Sequence, residues 1–252
     1  MSTDSRRLKV AGSNGTIAPL QNVALCIKAL ERAIKRPQYL PGMVCFYGPS
    51  GWGKTFAACF TANKYKAFYV ECRSTWTRKA ILKAICKEMG IAAARTIYDM
   101  TDQIIEHLRM TGQPLLIDEM DHIVEKQAVN IIRDLYDGSG VPILLIGEER
   151  IPVKLKKWER FHGRILDWVP AQPADIEDAR VLMQFYCKKV QVGDDLLDRI
   201  VSMARGSVRR IVVNLARVEE EALGMGVKKI GLKEWGKRPI WTGEAPARRL
   251  AA

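Results

Sequence analysis

The sequence predicts an α/β fold in which a parallel five-stranded sheet is covered by helices and is followed by a small all-helical domain. Short apolar runs alternate with segments whose apolar residues recur at helical spacing, which is typical of such a sheet. After residues 170–173, which contain two prolines, strand signals stop and three amphipathic helices follow. The 252 residues, 48% hydrophobic and 27% charged, are enough for one large domain with a small companion.

The first part of the chain is predicted to alternate between helices and strands. An apolar stripe at helical spacing predicts the first helix over Pro19–Lys35. The strands predicted from short apolar runs are Met43–Tyr47, Ala67–Glu71, Pro114–Ile117, Val141–Ile146 and Ile165–Val169. The further helices are expected from Lys54 onward and over Thr77–Met89, Ile97–Met110 and Ala128–Tyr136, the last stopped by Gly138.

The last part of the chain is predicted to be helical, at about 175–189, 194–204 and 208–223. The third helix has the clearest pattern, because its apolar residues fall on one face. A domain boundary is therefore expected near residue 172. The predicted organisation is a flexible basic N-terminal arm (1–18), an α/β core (19–172), a helical domain (173–225) and a basic C-terminal tail (226–252).

Charge and cysteine usage limit the class of protein. The 40 Lys and Arg against 28 Asp and Glu give a formal net charge of +12, which suits a polyanionic partner, and a merely basic protein is the alternative. The start lacks the apolar core of a signal peptide, and no apolar run approaches the ~20 residues that span a bilayer, so no membrane partner is expected. The six cysteines include no CxxC pair, which predicts a protein of the reducing cytoplasm.

The most specific motif is Gly48-Pro-Ser-Gly-Trp-Gly-Lys-Thr55, which matches GxxxxGK[ST] between a predicted strand and a predicted helix. Its backbone N–H groups and the helix N-terminus are expected to bind the phosphates of ATP. Lys54 should reach the β- and γ-phosphates, and the Thr55 hydroxyl should bind Mg²⁺. The predicted nucleotide-binding residues are Gly48, Pro49, Ser50, Gly51, Trp52, Gly53, Lys54, Thr55 and Phe56.

A pair of acids ends the third predicted strand. Asp118 is expected to hold Mg²⁺ together with Thr55 and water. Glu119 is placed to orient or deprotonate the attacking water. The alternative is a pair of acids that only caps a helix. The position of the pair after a strand, in a chain with a phosphate loop, favours catalysis.

These motifs resemble those of the AAA+ ATPases. The resemblance rests on GPSGWGKT, LLIDE, ILLIGEE and Gly206–Arg210, and it covers about residues 20–225. The segments Tyr69–Thr75, Ile146–Glu149 and Arg160–Arg164 further resemble the transposition ATPases, which include the phage Mu B target-selection protein and the transposon TniB/TnsC-like ATPases. The resemblance implies a P-loop AAA+ core with a helical lid, ATP and Mg²⁺ as cofactors, and a homo-oligomer, either a ring or a helical filament.

The resemblance also assigns roles to three arginines. Arg209 matches the lid arginine that contacts the γ-phosphate, and the alternative is a solvated residue at a helix start. Arg160 matches the arginine finger offered to the neighbouring subunit, Arg164 is the competing choice, and a basic loop without a catalytic role is the alternative. The family usually has a polar side chain at the end of the fourth strand, where this sequence has Gly147–Glu148. That departure predicts slow, switch-like hydrolysis.

The turn after the second predicted strand is the candidate DNA-binding segment. Cationic and hydroxyl side chains can bind phosphates, and a tryptophan can stack or pack. The alternative is an ordinary capped helix start with the tryptophan in the core. The predicted DNA-binding residues are Arg73, Ser74, Thr75, Trp76, Thr77, Arg78 and Lys79.

The sequence therefore predicts an ATPase of a bacterial host cytoplasm that assembles on duplex DNA without sequence preference. The resemblance implies that it selects target DNA and presents it to a DDE-type transposase. The first alternative is a replication-initiation or helicase-loading ATPase. The second is a secretion or signalling ATPase that does not bind DNA.

Overall fold

A computed structural model describes residues 20–244, so the predicted N-terminal arm and the last eight residues of the predicted tail lie outside the described residues. The described chain divides into two compact units. The α/β unit contains residues 22–50 and 54–171. The helical unit contains residues 172–244 together with residues 20–21 and Gly51–Gly53.

The α/β unit is built on a parallel sheet of five strands in the order β2-β3-β4-β1-β5, which confirms the predicted fold class. Its strands are β1 (Met43–Gly48), β2 (Phe68–Glu71), β3 (Leu115–Asp118), β4 (Ile143–Glu148) and β5 (Ile165–Pro170). All four residues of β3 and the first five of β4 are buried, since both faces of the sheet are covered.

The sheet order sets the position of the candidate site. β1 pairs with β4 so that Gly48 lies opposite Glu148, and β2 pairs with β3 so that Glu71 lies opposite Asp118. The carboxyl ends of β3, β4 and β1 therefore lie side by side. Ligands bind at this edge in open parallel sheets.

The helices of the α/β unit are α1 (Gln21–Ile34), α2 (Lys54–Tyr65), α3 (Arg78–Glu88), α4 (Ile97–Thr111), α5 (Met120–Glu125), α6 (Val129–Ser139), α7 (Ile151–Leu155) and α8 (Glu159–His162). Five of these helices lie close to predicted positions, and the three short helices α5, α7 and α8 were not predicted. The predicted stop at Gly138 is wrong, because α6 continues to Ser139. Gly138 serves packing instead, since a Cβ there would lie 2.4 Å from Ile105 Cδ1 on α4.

The helical unit contains α9 (Ile176–Tyr186), α10 (Asp194–Ala204), α11 (Val208–Gly224) and α12 (Leu232–Trp235). It differs from the predicted all-helical domain by two short parallel strands, β6 (Gln191–Val192) and β7 (Lys229–Ile230). Two-residue strands are too short to produce an alternating pattern in the sequence.

The described part of the predicted C-terminal tail is folded into the helical unit. Trp235 is 1% exposed, and its indole N–H donates to the carbonyl of Arg238. The Asn214 amide donates to the Trp241 carbonyl and accepts from the Trp241 N–H, at 2.9 and 2.8 Å. Burial of apolar side chains therefore folds this part of the segment that was predicted as a basic tail.

Candidate functional site

The phosphate loop joins β1 to α2. Gly51 and Gly53 have φ angles of 82° and 83°, a region that favours glycine. The Lys54 ammonium donates to the carbonyls of Gly48 and Pro49, at 2.7 and 2.9 Å. These bonds hold the lysine along its own loop, where an anion with strong acceptor oxygens can replace the carbonyls as its partner.

Four carboxylates of the α/β unit interact electrostatically with the Lys54 ammonium. Burial lowers the pKa of the ammonium, and the negative charges of Asp118, Glu119, Glu148 and Asp121 oppose that shift. These acids come from the carboxyl ends of β3 and β4 and from the start of α5. The structure thus brings the predicted lysine and both predicted acids into one cluster.

Asp118 is a buried carboxylate at the end of β3, with 2% exposure. It accepts hydrogen bonds from the Tyr69 hydroxyl and the Glu119 N–H, both at 2.8 Å. Desolvation, and to a smaller extent the negative charge of Asp118, raises the pKa of Tyr69. The phenol therefore remains a hydrogen-bond donor. The carboxylate is therefore held in one orientation.

Glu119 lies in a strained backbone conformation between β3 and α5. Its φ of 55° is in the left-handed region, which a non-glycine residue occupies at a cost in conformational free energy. Desolvation, followed by the neighbouring Asp118 charge, raises the pKa of Glu119. A carboxylate with a raised pKa is a better general base near neutral pH.

Asp121 is the acid of this cluster that the sequence analysis missed. It is 3% exposed, and its two oxygens accept from the Glu148 N–H at 2.6 Å and the Lys154 ammonium at 2.8 Å. The available signal was a charged residue flanked by the apolar Met120 and Ile123 on a short helix, since buried charges are normally paired.

The residues present fit a nucleotide with its magnesium ion. Among residues 20–244, no group of three or more His, Cys, Asp or Glu side chains is arranged to hold a metal. Magnesium commonly binds through one or two carboxylates, water and substrate phosphates, so a complete protein cage is not required. Asp118 and the exposed hydroxyl of Thr55 would supply the protein ligands.

The two finger candidates differ in their contacts. Arg164 forms a bidentate pair with Asp137, with Nε–Oδ1 and Nη2–Oδ2 distances of 3.0 Å. The Asp137 carboxylate raises the pKa of Arg164 further. Arg160 on α8 is exposed, and its guanidinium has no ion-pair partner within the described part of the chain. Of the two candidates, Arg160 is therefore the one whose guanidinium is not held by a carboxylate of the described chain.

Arg209 lies at the start of α11 in the helical unit. Its N–H donates to the Gly51 carbonyl at 3.1 Å, and the Ser207 hydroxyl donates to the same oxygen at 3.4 Å. Gly51–Gly53 of the phosphate loop belong to this unit by their contacts. The Arg209 side chain is exposed.

The candidate DNA-binding turn combines an ordinary helix cap with exposed cations. The Thr77 hydroxyl accepts from the Ala80 N–H at 3.3 Å and so caps α3. The Trp76 ring is partly buried against the core, and the Arg73 guanidinium carbon lies 5.8 Å from its centroid. Both interpretations of the tryptophan thus have a contact that supports them.

The cations of this turn and of α3 lack acidic partners. Arg78 and Lys79 donate to the backbone carbonyls of Gln127 and Arg95, which leaves their charges uncompensated. Lys79 begins an exposed row that continues at helical spacing of four residues, through Lys83 and Lys87. In residues 20–244, none of the following forms an ion pair: Arg73, Arg78, Lys79, Lys83, Lys87 and Arg95.

Comparisons with known proteins agree with the α/β fold described above. A family model described as an AAA domain matches residues 38–155. Cell division protein C of Sulfolobus acidocaldarius is 24% identical over 205 residues, which cover 71% of this chain and 52% of that protein. This chain therefore spans about half the length of that curated relative.

The solved structures to which the chain is similar include the following two. CDC6P from Pyrobaculum aerophilum has a TM-score of 0.63 at 18% identity, covering 83% of this chain and 63% of that one. The Aeropyrum pernix ORC1 protein, solved in complex with DNA, has a TM-score of 0.62 at 15% identity, covering 83% and 61%. At sequence identities this low, the similarity shows that the chains share a fold and nothing more.

Proposed function

We propose, from the premise that this chain has the fold of a P-loop AAA+ domain, that it binds and hydrolyses ATP in complex with Mg²⁺. The observation that carries the proposal is the convergence of Lys54, Asp118 and Glu119 at the carboxyl edge of the parallel sheet. The AAA-domain match over residues 38–155 supports it, because it includes all three residues.

Each residue has a separate task in this reaction. The loop N–H groups and Lys54 bind and orient the phosphates, and Lys54 exchanges its loop carbonyls for phosphate oxygens. Asp118, oriented by Tyr69, and Thr55 hold the ion, which when bound neutralises charge on the phosphate oxygens. Glu119 takes the proton of the attacking water. Arg209 contacts the γ-phosphate, and Arg160 of one subunit stabilises charge at the neighbour's site.

We further propose that the ATPase assembles on duplex DNA and contacts it through the turn from Arg73 to Lys79. The support is the exposed cations of this turn, which have no acidic partner in the described chain. The likeness to a structure solved in complex with DNA is consistent with this role. Phosphate contacts carry no sequence information directly, so binding is nonspecific.

The salt dependence of DNA binding tests this surface. Replacing Arg73, Arg78 and Lys79 by Ala should lower the slope of log affinity against log salt concentration by about 0.9 for each lost phosphate contact. The measurement is a salt titration on two unrelated duplexes, with and without ATP. Both duplexes should lose affinity equally, and ATP should be needed because an oligomer multiplies weak contacts.

The matched control for this titration removes three cations elsewhere in the α/β unit. Lys28, Lys66 and Arg109 are exposed and form no ion pair within residues 20–244. Their replacement by Ala changes net charge equally and should leave the slope unchanged. Equal slopes for both triple variants, in protein that still hydrolyses ATP, would contradict the proposed surface.

The comparisons favour a role of the replication-initiation or helicase-loading type, since the similar structures bear the names ORC1 and CDC6P. Delivery of target DNA to a DDE-type transposase is the second candidate, supported by the sequence segments Tyr69–Thr75 and Arg160–Arg164. Affinity capture on DNA with ATP separates them, because one predicts a helicase and the other a transposase in the complex. If the protein binds no DNA, either with or without ATP, a secretion or signalling ATPase would be favoured instead.

A further inference from the structure

At the end of β4, where the family resemblance leads us to expect a polar side chain, Gly147 has no side chain and Glu148, the last residue, is exposed. A Cβ at Gly147 would lie 2.8 Å from Asp121 Oδ2 and 2.4 Å from Ile151 Cδ1. The space that a polar side chain would need is therefore filled by Asp121 and Ile151. A side chain that positions the catalytic groups from the place of Gly147 must therefore belong to Asp121 or Ile151.

Asp121 has the geometry for that task. Its Oδ2 accepts from the Glu148 N–H at 2.6 Å, which fixes the last residue of β4. Its Oδ1 accepts from the Lys154 ammonium at 2.8 Å, which fixes α7. Asp121 itself lies two residues after Glu119 on α5. One carboxylate thus joins three elements next to the candidate general base.

Lys154 supplies the charge that this buried carboxylate requires. A buried carboxylate is costly unless it is paired and hydrogen-bonded. The hydrogen bond to Asp121 raises the pKa of Lys154, so the ammonium stays protonated. Glu125 is a second acid near it, with its Oε1 3.7 Å from Nζ. Without Lys154, Asp121 would add an unpaired negative charge to a cluster that already contains three other carboxylates around Lys54.

We propose that Asp121 and Lys154 form a clamp that takes the place of the side chain that Gly147 lacks and positions the site for hydrolysis. The proposal rests on the ATPase activity proposed above. Lys154 acts through Asp121, and it is a positioning residue that does not bind the nucleotide. Only residues 156–158 separate α7 from α8, so the clamp also connects the acid cluster to the helix that carries Arg160.

Replacing Lys154 by Ala should lower kcat about 10- to 100-fold, because small displacements of a catalytic group have effects of this size. The Kd for a fluorescent ATP analogue should stay near the wild-type value, whereas the unfolding temperature should fall, because the buried Asp121 carboxylate loses its cationic partner. Lys154→Arg should recover most of the activity, since it restores the charge and the donor. Lys156→Ala is the matched control, because Lys156 is an exposed cation two residues away with no ion pair in the described chain.

A double-mutant cycle tests the pairing itself. Asp121→Asn keeps an acceptor for the Glu148 N–H but removes the charge that Lys154 neutralises. If the two residues act as a pair, Asp121→Asn/Lys154→Ala should have a kcat well above the product of the two single effects. Independent, multiplicative effects would overturn the clamp.

Three further outcomes separate the clamp from the ATPase proposal. An active wild type with an equally active Lys154→Ala variant overturns the clamp and leaves the ATPase proposal standing. A loss of turnover that is accompanied by a loss of analogue binding shows a merely structural role of Lys154, and also overturns the clamp. A wild-type chain that binds the analogue but hydrolyses no ATP, with or without DNA, overturns both proposals.

Discussion

Replacing Glu119 by Gln is expected to lower ATP turnover about 10²- to 10⁴-fold while ATP binding persists. Glutamine keeps the shape and the hydrogen-bonding capacity of the side chain but cannot take a proton from water. The variant should therefore stop before hydrolysis and form longer-lived complexes with DNA. The measurements are steady-state turnover, the Kd of a fluorescent ATP analogue and the lifetime of the DNA complex.

Lys54→Ala is the companion variant, because it acts at an earlier step. It removes the ammonium that now donates to two loop carbonyls and should weaken analogue binding and ATP-dependent assembly. The two variants should thus fail differently, one at binding and the other at hydrolysis. Wild-type turnover in Glu119→Gln would remove that residue from catalysis, and unaltered analogue binding in Lys54→Ala would contradict the assignment of the loop.

The pH dependence of turnover follows from the same glutamate. Desolvation and the Asp118 charge raise the pKa of Glu119, and only the ionised form can act as a base. Turnover should therefore fall as the pH decreases through this raised pKa, at a higher pH than for an exposed glutamate. The pH profile of kcat/KM for ATP measures it, because that ratio reports the ionising groups of the free enzyme. A rate that is independent of pH down to the range of an ordinary glutamate would argue against this residue as the base.

The α/β fold was predictable because its signals are local. Parallel strands buried on both faces appear as continuous apolar runs, as in Ile143–Ile146, and the phosphate loop is a contiguous motif. The errors lie where tertiary contacts decide. Gly138 lies inside a helix where a side chain of a neighbouring helix approaches it, and the buried Trp235 folds part of the segment that was predicted as a basic tail.

The sequence predicted only those site residues that lie in recognisable motifs. Lys54, Asp118 and Glu119 lie in recognisable motifs, so their convergence could be expected from the order of a parallel sheet. The role of Asp121 depends on Glu148 and Lys154, which are 27 and 33 residues away in the chain. Contacts between residues so far apart in the chain form only in the folded structure, so no local sequence pattern predicts them.

The same limit applies to the choice between the two arginines near α8. The sequence places both in one basic segment and leaves either as the finger. The structure shows that Arg164 is held by Asp137, whereas Arg160 is exposed without an ion pair in the described chain. An arginine that acts on another subunit is more readily supplied without such a partner, and of these two arginines Arg160 meets this condition.

Arg160→Ala should therefore reduce oligomer-dependent turnover about 10³-fold or more, the usual contribution of an arginine finger. Arg164→Ala removes a half-exposed ion pair and should change stability by no more than ~1 kcal/mol, with turnover near wild type. Turnover on saturating duplex DNA, at protein concentrations where the wild type assembles, measures both. Sedimentation of each variant with ATP must show that assembly itself is intact.

Mixing two inactive variants tests whether the finger acts between subunits. An Arg160→Ala subunit keeps its own Glu119, and a Glu119→Gln subunit can supply Arg160 to it across the interface. In a random equimolar oligomer with head-to-tail contacts, about one quarter of the interfaces pair the two intact residues. Turnover should accordingly rise well above that of either variant alone. A mixture that remains inactive although mixed oligomers form, together with complementation by Arg164→Ala subunits, would transfer the finger to Arg164.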